Sequence, residues 1–127
     1  MFTPILSVLT LLSALVLSPS EGKETWEVYG PFDDCDEITI VNFTYETQHF
    51  LIGFDCDGDG EYDVIADEVF VDLRLEGNEP TVETVKKKWW YPCRISHLIY
   101  VGPSGGGKPG DVRPDPNDPC RMEIHKK

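Results

Sequence analysis

The residues best suited to chemistry in this sequence are five carboxylates in one short segment. Asp55, Asp57, Asp59, Glu61 and Asp63 occupy alternate positions, with glycines at positions 58 and 60 between them. Calcium takes about six to eight hard oxygen ligands in flexible geometry, and a loop that winds around an ion supplies them from alternate residues. We therefore predict a calcium-binding loop here, with a backbone oxygen near Glu61 completing the shell.

This segment resembles the first half of an EF-hand-type loop, D-x-D-x-D-G, a pattern that also occurs in shorter calcium loops. The resemblance ends at the twelfth position, where Ala66 replaces the bidentate glutamate that an EF-hand requires. Asp67 or Glu68 would have to substitute for it, and no helical pattern flanks the loop. The resemblance thus implies a stand-alone calcium loop, and the alternative is an acidic turn without an ion.

The only basic run in the chain is KKKWWY, at residues 86–91. Its adjacent aromatic side chains could stack on sugars or cover the apolar surface of a partner, which makes Trp89, Trp90 and Tyr91 candidate partner-binding residues. The simpler expectation is a strand in which Trp89 or Trp90 enters the core. The lysines would then lie in solvent and protect a sheet edge from aggregation.

Four cysteines predict two disulfides, because the number is even and no C-x-x-C pair suggests a metal or redox site. We expect Cys35 to pair with Cys56, which leaves Cys93 to pair with Cys120; the two other connectivities stay open. The expected pairing would bring the acidic segment 33–37 beside the calcium loop, where an ion would neutralise the repulsion between them.

The first twenty residues carry no charged side chain and contain an apolar run that is too short to span a bilayer. We predict a signal peptide over residues 1–20, with cleavage after Ser20 or, alternatively, after Gly22. No second apolar stretch follows, so we expect a secreted, extracellular protein that is not held in a membrane. The sequon Asn42-Phe43-Thr44 is a candidate glycosylation site at Asn42.

The formal net charge of −12 disfavours nucleic acid and anionic membranes as partners. It favours calcium ions, calcium mineral or basic partners.

Alternating apolar residues predict strands at 37–45, 49–54, 68–76, 81–91 and 95–101. The first two would form a hairpin that reverses between Glu46 and Thr47, with Val41 and Phe43 facing inward and Asn42 facing solvent. We predict an all-β domain over residues 21–101, a small antiparallel sandwich or partial barrel with two disulfides. Residues 102–127, rich in Gly, Pro and Asp, would form a flexible C-terminal segment, tied back if Cys120 is bridged.

Catalytic patterns are weak throughout the chain. Residues 102–108 match G-x-x-x-x-G-K, but Pro109 stands where a phosphate-binding loop needs a hydroxyl. His97 directly follows Ser96, and neighbours in a strand point to opposite faces. We predict a non-enzymatic, calcium-binding protein of an extracellular matrix or fluid, suited to a matrix around calcium mineral. The alternative is a secreted interaction module, such as an effector, toxin-like protein or inhibitor, that binds a protein or glycan through residues 86–91. A small hydrolase is a minor third option.

Overall fold

A computed structural model describes residues 26–32 and 34–127, and it forms two four-stranded β-sheets. The predicted signal peptide lies outside the described residues. Within the described ranges there is no helix, and therefore none that is long and apolar enough to cross a membrane. The strands are β1 (Glu27–Tyr29), β2 (Glu37–Asn42), β3 (Gln48–Asp55), β4 (Val64–Val71), β5 (Thr81–Lys86), β6 (Arg94–Pro103), β7 (Asp111–Asp115) and β8 (Asp118–His125).

The all-β architecture predicted from the sequence is confirmed. The first sheet has the order β1-β6-β3-β4 and is antiparallel throughout, whereas the second has the order β5-β2-β8-β7 and pairs β2 with β8 in parallel. Side chains alternate between the two faces of a strand, so Phe50, Ile52 and Phe54 all point from β3 into the core, where Ile38 and Ile40 of β2 lie. The hydrophobic core lies between the sheets.

The predicted hairpin between the first two long strands is wrong. β2 pairs with β5 and β8, whereas β3 pairs with β4 and β6, so the chain crosses from one sheet to the other between Asn42 and Gln48. The face assignment is also reversed: Ile38 and Ile40 face the core, and alternation puts Asn42 on their side, where it is fully buried. The third predicted strand is shifted toward the N-terminus, since β4 ends at Val71.

Residues 102–127 are not the flexible segment that their composition suggested. β7 and β8 form an antiparallel hairpin, and β8 lies inside the second sheet between β2 and β7. The short apolar alternation of Met122 and Ile124 explains this placement, because both side chains are buried in the core. The prediction of a flexible segment relied on the Gly and Pro content and neglected the apolar residues at positions 122 and 124.

The disulfides join Cys35 to Cys120 and Cys56 to Cys93, so the expected pairing is wrong. Strand register explains both bonds. β8 runs parallel to β2 with Thr39 opposite Arg121, which brings Cys120 to the start of β2. β6 runs antiparallel to β3 with Asp55 opposite Arg94, which brings Cys93 beside Cys56. Cys120 does tie back the C-terminal segment, although to a different partner.

Candidate metal centre

The carboxylate-rich loop connects β3 to β4 and is held at both ends. Asp55 is the last residue of β3, and the N–H of Asp63 donates to the carbonyl of Phe54 at 2.7 Å, which closes the base of the loop. The disulfide from Cys56 to Cys93 fastens its first turn to the start of β6. The loop is therefore anchored on the first sheet by two different kinds of bond.

Four aspartates converge within this loop. One carboxylate oxygen from each lies within 4.8 Å of those of the others; Asp55 is buried and the other three are exposed. Glu61, the fifth residue of the predicted set, does not belong to this group. The structure thus brings together four of the five predicted ligands: Asp55, Asp57, Asp59 and Asp63.

The Asp55 carboxylate organises the turn from within. It accepts hydrogen bonds from the N–H groups of Asp57 at 3.1 Å, Gly58 at 2.8 Å and Gly60 at 2.9 Å. Both glycines have positive φ, +78° and +86°, a region that side chains disfavour and that lets these N–H groups turn inward. The N–H of Gly60, more than any other contact, holds the pKa of the Asp55 carboxyl below its usual value.

Each of the other three aspartates accepts a hydrogen bond from a backbone N–H through one carboxylate oxygen. Asp57 Oδ1 accepts from the N–H of Asp59 at 3.2 Å, and Asp59 Oδ1 accepts from that of Glu61 at 2.9 Å. Asp63 Oδ2 accepts from the N–H of Cys56 at 2.7 Å. A carboxylate has about four lone-pair sites, so each of the three keeps acceptor capacity for a further partner.

The close approach of carboxyl groups within the cluster shifts the pKa of Asp57. Its pKa is raised above the usual value, chiefly because its carboxyl shares a hydrogen bond with the carboxyl of Asp59, although the N–H of Asp59 opposes the shift. Two carboxylates this close favour a shared positive partner, either a proton or a cation. The donor set contains only hard oxygens, which suits calcium or magnesium and not a metal that prefers nitrogen or sulfur.

The two candidate substitutes for the twelfth-position glutamate, Asp67 and Glu68, do not belong to the cluster. Asp67 forms an ion pair with Lys88 at 3.4 Å, and Glu68 contacts His49 at 2.8 Å. The disulfide pattern also removes the basis for expecting the segment 33–37 beside the loop, because Cys35 is bonded to Cys120. Among the described residues, the cluster therefore consists of four carboxylates.

The aromatic residues of the basic run lie in the connection between β5 and β6. Trp89 is 91% exposed and Trp90 is 62% exposed, so the expectation that one of them enters the core is wrong. Tyr91 packs against the core instead, with its ring at 4.9 Å from that of Phe54 in an edge-to-face contact. Because Cys93 is bonded to Cys56, this connection and the carboxylate loop lie at the same end of the sandwich.

A buried polar network that the sequence did not predict lies at the opposite end of the sandwich. The side-chain nitrogen of Asn42 carries two hydrogens and lies 2.9 to 3.2 Å from three backbone carbonyl oxygens, which share them. Its Oδ1 accepts from the backbone N–H and the hydroxyl of Thr44. The exposure expected for a glycan at Asn42 is thus absent. The alternation of Asn42 with Ile38 and Ile40 would have predicted its burial, but the sequon led to the expectation that it is exposed. The three carbonyls belong to Glu46, Val71 and Asp72.

This network continues across both sheets. Gln48 donates to the Thr44 hydroxyl at 3.0 Å, and the Tyr100 hydroxyl donates to Gln48 Oε1 at 2.6 Å. Tyr100 in turn accepts from the N–H of Gly110 at 2.9 Å. Asn42 lies on β2, Gln48 on β3 and Tyr100 on β6, so the network joins the two sheets through neutral groups.

The adjacent serine and histidine form a contact of their own. His97 Nδ1 lies 2.9 Å from Ser96 Oγ, although the two residues are neighbours in a strand. Ser96 is completely buried, and its hydroxyl also donates to the carbonyl of Gly53 at 3.3 Å. A substrate would have no access to this hydroxyl in the folded protein.

Comparisons with protein-family models, curated proteins and solved structures gave no match. Any functional conclusion therefore depends on the geometry of the chain itself.

Proposed function

We propose that this protein is a secreted, non-enzymatic calcium-binding protein of an extracellular matrix or fluid. The observation that carries the proposal is the convergence of Asp55, Asp57, Asp59 and Asp63 within 4.8 Å. Two disulfides support an oxidising compartment, which is where such bonds persist. The net charge of −12 supports a protein that works among multivalent cations, such as a matrix around calcium mineral.

Calcium fits this loop better than magnesium does. Calcium accepts variable numbers of oxygen ligands at about 2.3–2.6 Å, whereas magnesium demands a near-ideal octahedron at about 2.0–2.1 Å. A loop whose three exposed carboxylates can adjust their positions around an ion meets the first requirement more easily. Extracellular modules commonly bind calcium with dissociation constants of about 10⁻⁴–10⁻³ M, so four aspartates and backbone oxygens suffice without a bidentate glutamate.

The decisive experiment is a comparison of thermal unfolding in calcium and in chelator. Calcium at millimolar concentration should raise the melting temperature of the wild-type protein, because the unfolded loop cannot hold its carboxylates together. Asp57→Asn combined with Asp59→Asn should abolish most of that increase. In chelator the same variant should melt slightly above the wild type, because it loses the repulsion between neighbouring carboxylates. The sign of its effect should therefore reverse between the two conditions.

The matched control is Glu76→Gln combined with Glu79→Gln, which removes the same charge from exposed positions beyond the C-terminal end of β4. This variant should keep the full calcium response. Magnesium at the same concentration should give a much smaller shift than calcium. If millimolar calcium leaves the melting temperature of the wild type unchanged, the loop is an acidic turn and the proposal fails.

A further inference from the structure

The outward surface of the first sheet is apolar. Because residues alternate along β3, His49, Leu51 and Gly53 point away from the core. The residues paired with them on the neighbouring strands share that outward direction. What we call the outer apolar face consists of Val28, Leu51, Ile65, Phe70 and Ile99, with the ring of Tyr62 lying over Gly53. Apart from Leu51 and Ile99, each of these residues is between 36% and 47% exposed.

The outward surface of the second sheet is charged, in contrast. On that surface Arg121 contacts Glu123 at 3.1 Å, and Arg113 lies opposite Glu123 in the pairing of β7 with β8. Among the described residues that pair across the outer apolar face, the one carboxylate is Glu68, which lies 2.8 Å from His49. Contiguous apolar surface on a soluble protein commonly marks a binding site. On a protein with a net charge of −12, a face with one carboxylate indicates an uncharged partner.

The two exposed aromatic rings of the face are held in place by their neighbours. The Phe70 ring stacks on that of His49, with centroids 4.1 Å apart and an interplanar angle of 16°. The Tyr62 ring packs so closely on Gly53 that a Cβ atom there would lie 2.9 Å from Tyr62 Cγ. It also lies 5.3 Å from the ring of His97. Rings positioned in this way lose less conformational freedom when a partner covers them.

A second copy of the same face meets the requirements for a partner. Two sheets pack face to face at about 10 Å, with their strands within about 30° of one another, because each sheet is twisted. Two copies of one face carry the same twist, and each is nearly free of charged side chains. The outer apolar face therefore complements itself in both shape and polarity.

The position of the acidic loop sets the orientation of the two copies. The carboxylate loop begins at Asp55, two residues beyond Gly53, so it lies at one end of the outer apolar face. If the β3 strands of the two copies run antiparallel, the two acidic loops lie at opposite ends of the interface. Repulsion between the loops is weakest in that arrangement, because it falls with distance.

Strand register then determines which residues meet. Val28, Ile99 and Leu51 form one row across the sheet, and a two-fold axis along this row brings each of them against its own counterpart. Ile65 and Phe70 lie on β4 on opposite sides of that row. Ile65 of each copy therefore lies against Phe70 of the other.

The size and charge of the face indicate a weak interface. Four strands span about 19 Å and the five residues from His49 to Gly53 about 17 Å, so the face covers roughly 300 Å² in plan. Two such faces bury at most about 1,200 Å², even when corrugation doubles the plan area, which is the range of transient complexes. The net charge of −12 on each copy opposes association, as does Glu68, which ends the central row and faces its own counterpart.

We propose that the outer apolar face binds the same face of a second copy and forms a weak, two-fold symmetric dimer. The dissociation constant should be on the order of 10⁻⁴ M. The interface is distinct from the calcium loop and requires no ion. Because the contact is apolar while the net charges repel, the dimer should become tighter as salt rises, which is the reverse of an interface built on ion pairs.

Sedimentation velocity of the mature, disulfide-bonded protein measures the dimer, at protein concentrations on either side of that dissociation constant. The experiment is carried out in chelator, so that a failure of the calcium loop cannot be mistaken for a failure of this face. We expect a dimer that is about threefold tighter or more in ~1 M than in ~0.15 M sodium chloride, because the Debye length falls from about 8 Å to about 3 Å. A protein that stays monomeric at both salt concentrations overturns the proposal.

Charged substitutions locate the interface. Ile65→Lys alone and Phe70→Glu alone should each weaken the dimer about tenfold or more, because each buries an unpaired charge. Both residues are exposed in the single copy, so each variant should keep a melting temperature close to that of the wild type. Val82→Lys and Val82→Glu, at an exposed position of β5 in the second sheet, are the matched controls and should leave the dimer unchanged.

A mixture of the two variants tests the antiparallel arrangement. In a mixed dimer the introduced lysine and the introduced glutamate face each other, and the remaining Ile65 and Phe70 keep the wild-type contact. An equimolar mixture should therefore associate within about threefold of the wild-type affinity. Glu68→Gln should tighten the wild-type dimer about twofold, because it removes the carboxylate that faces its own counterpart. The proposal is overturned if the mixture associates as weakly as its components, or if the Val82 controls weaken the dimer as much as Ile65→Lys does.

Discussion

The two ends of the sandwich satisfy their polar groups in opposite ways. At the network end, the Asn42 amide and the Tyr100 hydroxyl are buried and hydrogen-bonded to neutral partners inside the fold. At the acidic end, the carboxylates of Asp57, Asp59 and Asp63 are exposed, repel one another and are held in place by a disulfide. Buried polar groups that find partners within the protein stabilise it, whereas charges that stay outside are available to a ligand.

This contrast separates a structural end from the end to which we assign the proposed function. Neutral hydrogen bonds across β2, β3 and β6 hold the network end without any external partner. The acidic end depends on a covalent bond for its shape and, in our proposal, on a cation for its electrostatic balance. Substitutions at the two ends should therefore affect stability and ligand response separately.

The largest effect should come from opening the disulfide at the acidic end. Cys56→Ser with Cys93→Ser frees a loop closed at a sequence separation of 37, which should lower the free energy of unfolding by about 3–4 kcal/mol on the loop-entropy relation. Denaturant unfolding measures this loss. Amide exchange should accelerate in the loops that follow β3 and β5, and stay slow around Asn42. Equal acceleration at both ends would show that the two ends are not independent.

A smaller loss should follow from a substitution at the network end. Asn42→Ala removes the two N–H donors that three backbone carbonyls share, so we expect about 2–3 kcal/mol less stability. Asn78→Ala, in an exposed turn, is the matched control and should cost less than about 0.5 kcal/mol.

The calcium response of Asn42→Ala should match that of the wild type. Because the Asn42 amide is buried, the folded wild-type protein should also carry no glycan there, which mass spectrometry before and after enzymatic deglycosylation will show. A glycan at Asn42 on correctly folded protein would contradict the network as described.

The smallest effect should be that of Tyr100→Phe, at about 1–2 kcal/mol, because it leaves Gln48 and the N–H of Gly110 without this partner. Burial raises the pKa of the Tyr100 hydroxyl, with the N–H of Gly110 opposing the shift. The unfolded chain loses this proton near pH 10, and the folded protein only at higher pH. Stability is thus complete below about pH 10 and falls as the pH rises beyond it.

The variant should lose part of that alkaline decline. It should not lose all of it, because burial also raises the pKa of Tyr29. Unfolding curves between neutral and alkaline pH, compared with those of the wild type, test the sign. An unchanged alkaline slope in Tyr100→Phe would mean that the hydroxyl does not keep its proton in the folded state.

The sequence predicted the local features of this molecule well. Alternation in residues such as Phe50, Ile52 and Phe54 indicated strands, and the spacing of four aspartates indicated where carboxylates would gather. Both are properties of neighbouring residues, set by the two-residue period of a strand and by the turn that two glycines allow. The fold class and the cluster therefore needed no knowledge of distant contacts.

The long-range features could not be found in the same way. Partner choice for Cys35 depends on the parallel pairing of β2 with β8, strands at opposite ends of the described chain. Of the three adjacent aromatic residues, Tyr91 packs against Phe54, whereas Trp89 is exposed. Both outcomes are decided by which strands meet, and no pattern within either segment specifies that.

The position of β8 has a consequence for synthesis. The second sheet cannot be completed until residues 118–125 have left the ribosome, because β8 lies between β2 and β7 and pairs with both. While the chain emerges, Ile38 and Ile40 of β2 lack one neighbouring strand and part of their cover. Contacts between residues so distant in sequence also form slowly. A nascent chain would therefore remain exposed to chaperones and proteases until β8 had emerged, and a product cut short before β8 would lack an inner strand of its second sheet.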